Sequence, residues 1–186
     1  MDARSSYSKM AIALHWAVAI LVLGNIAGGL YMSSLFDSEL PELMEQGAAI
    51  AAIHKPVGIL VLLLTLLRLA LRLREPTFPL PSHMRGWEVA LARSTHWLFY
   101  ALLVAVPLFG WAFAVTDARP LSVFGLFDVP PLPFGEAARG VLHEAHEIGG
   151  KAMLGLVLLH VAGALKHQFL DRDDVVARML PFLRRD

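Results

Sequence analysis

Two histidines near the C-terminus, His146 and His160, are fourteen residues apart in an apolar stretch. Fourteen residues of α-helix rise by about 21 Å and complete nearly four turns, so both imidazoles point to roughly the same side. Two more histidines, His15 and His54, lie in earlier apolar stretches. Neutral imidazole nitrogens are good metal ligands, and two of them fill both axial positions of a haem iron. The pattern therefore suggests two bis-imidazole pairs at different depths of a membrane.

The composition favours a membrane protein over a soluble domain. Of the 186 residues, 56% are hydrophobic and only 17% are charged. Soluble domains are close to half apolar and about a quarter charged. The absence of cysteine excludes disulfides, iron–sulfur clusters, thiolate haem ligation and covalent haem attachment. A formal net charge of zero gives no reason to expect a nucleic-acid partner.

Four apolar segments are each close to the ~20 residues that a membrane-spanning helix needs. They cover about residues 10–32, 48–70, 94–116 and 147–165. The first is too long for the core of a signal peptide. No segment shows the alternation of apolar and polar residues that a transmembrane barrel strand requires. We therefore expect an all-α, transmembrane four-helix bundle in which residues 1–186 form a single membrane domain.

Basic and acidic residues separate onto opposite sides of these segments. One side carries Arg4, Lys9, Arg68, Arg72, Arg74, Arg85, Arg93, Lys166, Arg172, Arg178, Arg184 and Arg185. The loops of the other side carry Asp37, Glu39, Glu42, Glu45, Asp117, Asp128, Glu136 and Glu144. Because basic residues collect on the cytoplasmic side of membrane proteins, both termini are predicted to be cytoplasmic.

Depth in the membrane then pairs the histidines. His15 and His160 each lie six residues from a lysine on the cytoplasmic side. His54 and His146 each begin an apolar segment on the periplasmic side. The core of a four-helix bundle suits a flat macrocycle held by one axial imidazole from each of two helices. We predict one haem iron between His15 and His160, and a second between His54 and His146.

Two other histidines are alternative ligands. His143 lies one turn before His146, but its separation of seventeen residues from His160 turns its side chain about 100° away. His96 begins the third segment on the cytoplasmic side, where a pair is already predicted.

Three basic side chains are candidates to pair with haem propionates. Arg68 and Arg72 lie on the cytoplasmic side, and Lys151 lies on the periplasmic side. The other explanation for such residues is that their long side chains simply reach from a helix end to the membrane surface.

Motifs along nearly the whole chain resemble the bacterial cytochrome b561 family. They are Tyr7-Ser8-Lys9 with Leu14-His15-Trp16, Ile53-His54, Arg68-Leu69-Ala70-Leu71-Arg72, His146-Glu147, His160, Lys166-His167 and Arg178-Met179-Leu180-Pro181. In that family, haem ligands occupy the positions of His15, His54, His146 and His160. The resemblance implies a four-helix protein of the bacterial inner membrane that carries two haems b and exchanges electrons with ubiquinone. One type in the family oxidises superoxide at the periplasmic face.

The chain departs from the family pattern at His143 and in a longer loop, residues 119–135, which contains Pro120, Pro130, Pro131 and Pro133. Proline has no amide hydrogen to donate, so this loop cannot be regular helix, and we expect an irregular external loop. It would cover the periplasmic haem.

Three functions compete on the sequence alone. The first is a stand-alone membrane electron carrier that exchanges electrons with ubiquinone and with superoxide or a periplasmic redox protein. The second is a cytochrome b anchor subunit of a larger dehydrogenase or hydrogenase. The third is a haem-free helical bundle whose histidines relay protons.

Overall fold

A computed structural model describes residues 6–38, 40–75, 78–114, 121–130, 132 and 134–184. Most of these residues form four long helices, which are α1 (Lys9–Phe36), α2 (Pro41–Arg74), α3 (Gly86–Ala114) and α4 (Glu136–Leu165). Each helix is long and apolar enough to cross a membrane. The expected all-α four-helix architecture is therefore confirmed. Among the residues used to predict its orientation, Arg4, Glu39, Asp117 and Arg185 lie outside the described part of the chain, as do residues 115 and 116 of the third predicted segment.

Local sequence determines where the first two helices begin. The hydroxyl of Ser8 accepts a hydrogen bond from the amide of Ala11 at 3.2 Å, which satisfies one of the free amides at the start of α1. Pro41 occupies the first turn of α2, where its missing amide hydrogen costs nothing.

Three helices begin well before the predicted apolar segments. The structure starts α2 at Pro41, α3 at Gly86 and α4 at Glu136. Hydropathy detects only the part of a helix that suits a bilayer, whereas backbone hydrogen bonds continue the helix through polar turns. As a result, His54 and His146 lie well inside continuous helices.

Successive helices run in opposite directions. The Ser8 hydroxyl, just before α1, donates to a carboxylate oxygen of Glu75, just after α2, at 2.8 Å. Lys166, just after α4, lies 3.1 Å from a carboxylate oxygen of Glu88 in the first turn of α3. We call this end of the bundle the terminal face and the opposite end the loop face.

The C-terminal segment covers the terminal face. A π-helical turn, Lys166–Asp171, continues α4, and two short 3-10 turns follow at Val176–Arg178 and Pro181–Leu183. The indole nitrogen of Trp16 on α1 donates to the carbonyl of Met179 at 3.1 Å. The segment is thereby tied to the first helix.

An apolar core runs through the middle of the bundle and draws on all four helices. Its buried members are Val18, Val22, Val61, Leu103 and Met153. Large apolar side chains also point outward, as at Ile20, Leu63 and Leu158, which are 67%, 50% and 63% exposed. An outer apolar surface suits contact with lipid, and the polar backbone groups are satisfied inside the helices.

The external loop contains regular structure that the sequence analysis missed. Residues Leu121–Val123 (β1) and Phe127–Val129 (β2) form an antiparallel hairpin, so the expectation of an irregular loop was wrong over this stretch. The turn is made by Phe124 and Gly125, which both have positive φ, a backbone geometry that matches the twist of paired strands. Pro130 directly follows β2, and residues 119, 120, 131 and 133 of this loop are outside the described residues.

Candidate functional site

At the loop face, His54 on α2 and His146 on α4 lie against each other. Their ring centroids are 5.9 Å apart, with an interplanar angle of 82°. Phe113 on α3 packs beside them, 5.6 Å from the ring of His146 and 5.0 Å from that of His143. The more exposed His143 thus lies at the edge of the site, while His146 faces His54.

His146 is held by a hydrogen bond to α3. Its Nδ1 donates to the backbone carbonyl of Val106 at 2.8 Å. A carbonyl only accepts hydrogen bonds, so Nδ1 carries the proton, and Nε2 keeps a free lone pair. Histidines that bind metals are commonly oriented in this way.

Gly110 makes room for this arrangement. A Cβ atom at Gly110 would lie 2.8 Å from both Cε1 and Nδ1 of His146, which is closer than real Cβ contacts allow. Sequence reasoning missed Gly110 and the carbonyl of Val106. The only signal was a glycine within an apolar span, and this usually marks ordinary close packing of helices.

His54 occupies a comparable niche beside α1. A Cβ at Gly29 would lie 3.0 Å from Cε1 of His54, so a glycine again allows a ring to lie against a neighbouring backbone. The Nδ1 atom of His54 is buried and has no hydrogen-bond partner among the described residues. A buried polar atom without a partner costs about 1–3 kcal/mol, but this nitrogen lies on the Gly29 side of the ring, where a Cβ would be 3.4 Å away, so it does not itself mark the place of a bound group.

Near the terminal face, His160 on α4 has two histidine neighbours. The ring of His15 on α1 lies 6.3 Å away, and the ring of His96 on α3 lies 5.6 Å away. Phe99 packs at 5.4 Å. The structure therefore brings together the predicted pair, and it also brings in the alternative ligand His96.

The two neighbours differ in their hydrogen bonds. Nδ1 of His96 donates to the carbonyl of Ala92 at 2.6 Å, which leaves Nε2 with a free lone pair. Nδ1 of His15 instead lies 3.0 Å from a guanidinium nitrogen of Arg68. Because arginine only donates, this contact makes Nδ1 of His15 an acceptor and puts the proton on Nε2. Binding of iron by Nε2 of His15 would require Arg68 to turn toward another acceptor.

The three basic residues considered as propionate partners have different contacts at the two faces. Arg68 stacks over the ring of Tyr100, 5.6 Å from its centroid, and a guanidinium nitrogen of Arg72 donates to the hydroxyl of Tyr7 at 3.4 Å. Both stay close to the terminal-face histidines. Lys151 forms an ion pair with Glu147 on the surface of its own helix.

The histidine pairs fit axial ligation of a metal. Two imidazoles that bind one metal from opposite sides, with metal–nitrogen bonds of about 2 Å, have ring centroids about 6 Å apart. The separations of 5.9 Å for His54–His146 and 6.3 Å for His15–His160 agree with that value. The absence of cysteine leaves imidazole as the best available haem ligand.

Comparison with known proteins agrees with this chemistry. The family model for prokaryotic cytochrome b561 matches residues 6–182. The chain is 35% identical over 181 residues to cytochrome b561 homolog 2 of Escherichia coli K12, covering 94% of this chain and 90% of that protein. It is 29% identical over 179 residues to the probable superoxide oxidase CybB of Yersinia pestis, covering 94% and 96%. It is also 29% identical over 183 residues to cytochrome b562 of Cereibacter sphaeroides, covering 97% and 98%.

These matches extend over nearly the full length of the chain, so they include all four helices and both histidine clusters. Haem b binding and electron transfer follow from the family, and the four apolar helices place the protein in the bacterial inner membrane as a multi-pass protein. The chain belongs to the prokaryotic cytochrome b561 family.

Proposed function

We propose that this protein carries two haems b, exchanges electrons with the ubiquinone pool and oxidises superoxide on the periplasmic side. One observation supports the proposal above all others. Helix α4 presents an imidazole at each of two levels, and each imidazole faces a histidine of another helix at about the spacing of an axial pair. One such cluster would suit one haem, whereas two clusters about 21 Å apart along α4 suit a path across the membrane.

In this proposal His54 and His146 hold the haem of the loop face, and His15 and His160 hold that of the terminal face. Bound haem b supplies one-electron redox chemistry. Held by two histidines each, the haems would supply electron transfer and not oxygen chemistry. The carbonyl of Val106 fixes the ring orientation of His146, as hydrogen-bond acceptors beside metal-binding histidines commonly do.

The charge distribution supports an orientation with both termini in the cytoplasm, which puts His54 and His146 on the periplasmic side. There the hairpin packs on the bundle, with Val123 and Val129 buried against Ile59. The indole nitrogen of Trp111 donates to the carbonyl of Pro130 at 3.0 Å and helps to hold the hairpin down. Such a cover favours a small reductant over a large docking protein.

Superoxide is the small reductant that the comparisons favour, because the similar protein of Yersinia pestis is named a probable superoxide oxidase. Charge gives this assignment no support, because acidic side chains outnumber basic ones at the loop face and Lys151 is paired with Glu147.

The test is reduction of the purified protein by a pulse of superoxide in detergent, with and without a soluble ubiquinone. We expect two haems per chain by the pyridine haemochrome assay, rapid reduction by superoxide, and reoxidation when quinone is added. A colourless preparation from haem-replete cells would show that the histidines do not bind haem.

If superoxide reduces the protein no faster than it reduces free haem, superoxide is not the substrate. Stoichiometric co-purification of a soluble dehydrogenase subunit would instead favour the anchor function.

A further inference from the structure

A second group of metal-ligating side chains lies on the terminal face, outside the histidine pairs described above. It consists of His83, in the connector between α2 and α3, and of His167, Asp171 and Asp173 in the C-terminal segment. One nitrogen or oxygen atom of each lies within 4.8 Å of those of the other three. Segments far apart in sequence therefore bring two imidazoles and two carboxylates together.

The individual distances are close to those of a shared metal. Nδ1 of His167 donates a hydrogen bond to Oδ2 of Asp173 at 2.8 Å, and Nε2 of His83 lies 3.3 Å from the same oxygen, so a metal here would displace the proton on Nδ1. The Oδ2 atom of Asp171 lies 3.3 Å from the same nitrogen of His167. Ligand atoms around a tetrahedral zinc, with bonds of about 2.0–2.1 Å, are separated by about 3.3 Å.

The backbone is shaped so that both carboxylates reach His167. The π-helical turn Lys166–Asp171 ends at Arg172, which has a φ of +55° in the left-handed region, although it is not glycine. This reversal turns Asp173 back toward the side chain of His167. The backbone amide of Val175 donates to Oδ1 of Asp173 at 3.1 Å and leaves Oδ2 directed at the two histidines.

Burial and charge also favour a cation. The side chains of His167, Asp171 and Asp173 are only 12%, 16% and 15% exposed, whereas that of His83 is 50% exposed and leaves a route for entry. Lys166 contacts Asp171 at 2.6 Å, but it is shared with Glu88 at 3.1 Å. With neutral histidines, the two aspartates keep an excess of negative charge. When Asp171 turns to a metal, Lys166 retains Glu88 as its partner.

We propose that His83, His167, Asp171 and Asp173 bind a divalent transition metal, with Zn²⁺ as the best match. Imidazole and carboxylate ligands together suit zinc and its neighbours in the first transition series, whereas Mg²⁺ and Ca²⁺ prefer oxygen ligands alone. The metal ties the connector between α2 and α3 to the C-terminal segment. It is separate from the haems and does not depend on which histidines bind them.

The test uses the haem-loaded protein without a histidine tag, stripped with a chelator and dialysed against micromolar Zn²⁺. Metal content is measured by mass spectrometry. We expect one zinc per chain that millimolar Mg²⁺ does not displace. Asp173→Asn should weaken zinc binding by more than about tenfold. Asp174→Asn, which changes the neighbouring carboxylate outside the cluster, should leave it unchanged.

A second variant guards against misfolding, because Asp173 also holds the amide of Val175. His83→Gln changes a half-exposed ligand and should weaken zinc binding while the haem spectrum stays that of the parent protein. Absence of zinc from the parent protein would overturn the proposal. So would equal zinc binding by the parent, Asp173→Asn and His83→Gln proteins, or displacement of the zinc by Mg²⁺.

Discussion

The two histidine pairs of this protein have similar separations but different surroundings. At the loop face, His146 is fixed by one carbonyl and one glycine of α3, and it faces a single histidine partner, His54, among the described residues. At the terminal face, His160 has His15 and His96 as neighbours. Proximity alone therefore identifies the partner at one level but leaves two at the other.

His15 and His96, the two neighbours of His160, differ in their hydrogen bonds. A backbone carbonyl holds the proton of His96 on Nδ1, whereas Arg68 faces Nδ1 of His15 as a donor. A metal needs a nitrogen with a free lone pair, so the partner of the other nitrogen decides which ring is prepared to bind. In the structure, Arg68 thus keeps the proton of His15 on Nε2, and a haem propionate is an acceptor to which its guanidinium would turn.

The largest expected effect comes from removing a ligand of the better-defined loop-face pair. His146→Ala should lose one of the two proposed haems, because no other described side chain takes its place opposite His54. His143→Ala is the matched control and should keep both haems. The pyridine haemochrome assay measures the ratio of haem to protein. If His143→Ala loses a haem and His146→Ala keeps both, then His143, and not His146, is the ligand on α4.

At the terminal face the same experiment separates the competing partners of His160. His15→Ala should lose the second haem, and His96→Ala should retain it. The electron paramagnetic resonance spectrum of the oxidised protein distinguishes which low-spin haem is missing. The opposite outcome would mean that α3, and not α1, supplies the ligand opposite His160.

A smaller effect is expected from the glycine that accommodates His146. Gly110→Ala should displace the ring and break its hydrogen bond to Val106, which costs about 1–3 kcal/mol and weakens retention of the loop-face haem. Gly155→Ala is the control, because a Cβ there meets nothing within 4 Å among the described residues. Haem loss during thermal unfolding is the measurement. Equal behaviour of the two variants would show that the ring tolerates the methyl group.

The smallest expected effect concerns charge. Arg68→Gln removes a positive charge near the terminal-face histidines, which should favour the oxidised form and lower one midpoint potential by on the order of 50 mV, or ~1 kcal/mol. Arg74→Gln, at the exposed end of α2, is the control and should leave both potentials nearly unchanged. Redox titration followed at the α band gives both values. An unchanged pair of potentials in Arg68→Gln would place Arg68 away from the haem.

Sequence reasoning performed best where the controlling property was local. The four helices could be predicted because about twenty apolar residues suffice for a membrane span, and the resemblance to the family rested on short motifs around the histidines. Helix ends were placed less well, since polar turns of α2 and α4 continue beyond the bilayer and carry no apolar signal. The hairpin was missed because prolines exclude helix without excluding short strands between them.

The sequence by itself determined that His146 and His160 share one side of a helix at two levels, because helical period and rise depend only on the spacing along the chain. Only the tertiary structure decided which groups meet them. The carbonyl of Val106, the space above Gly110, the second neighbour His96 and the convergence of His83 with Asp173 all join residues distant in sequence. Such contacts depend on how whole helices and connectors pack, and no local pattern encodes that packing.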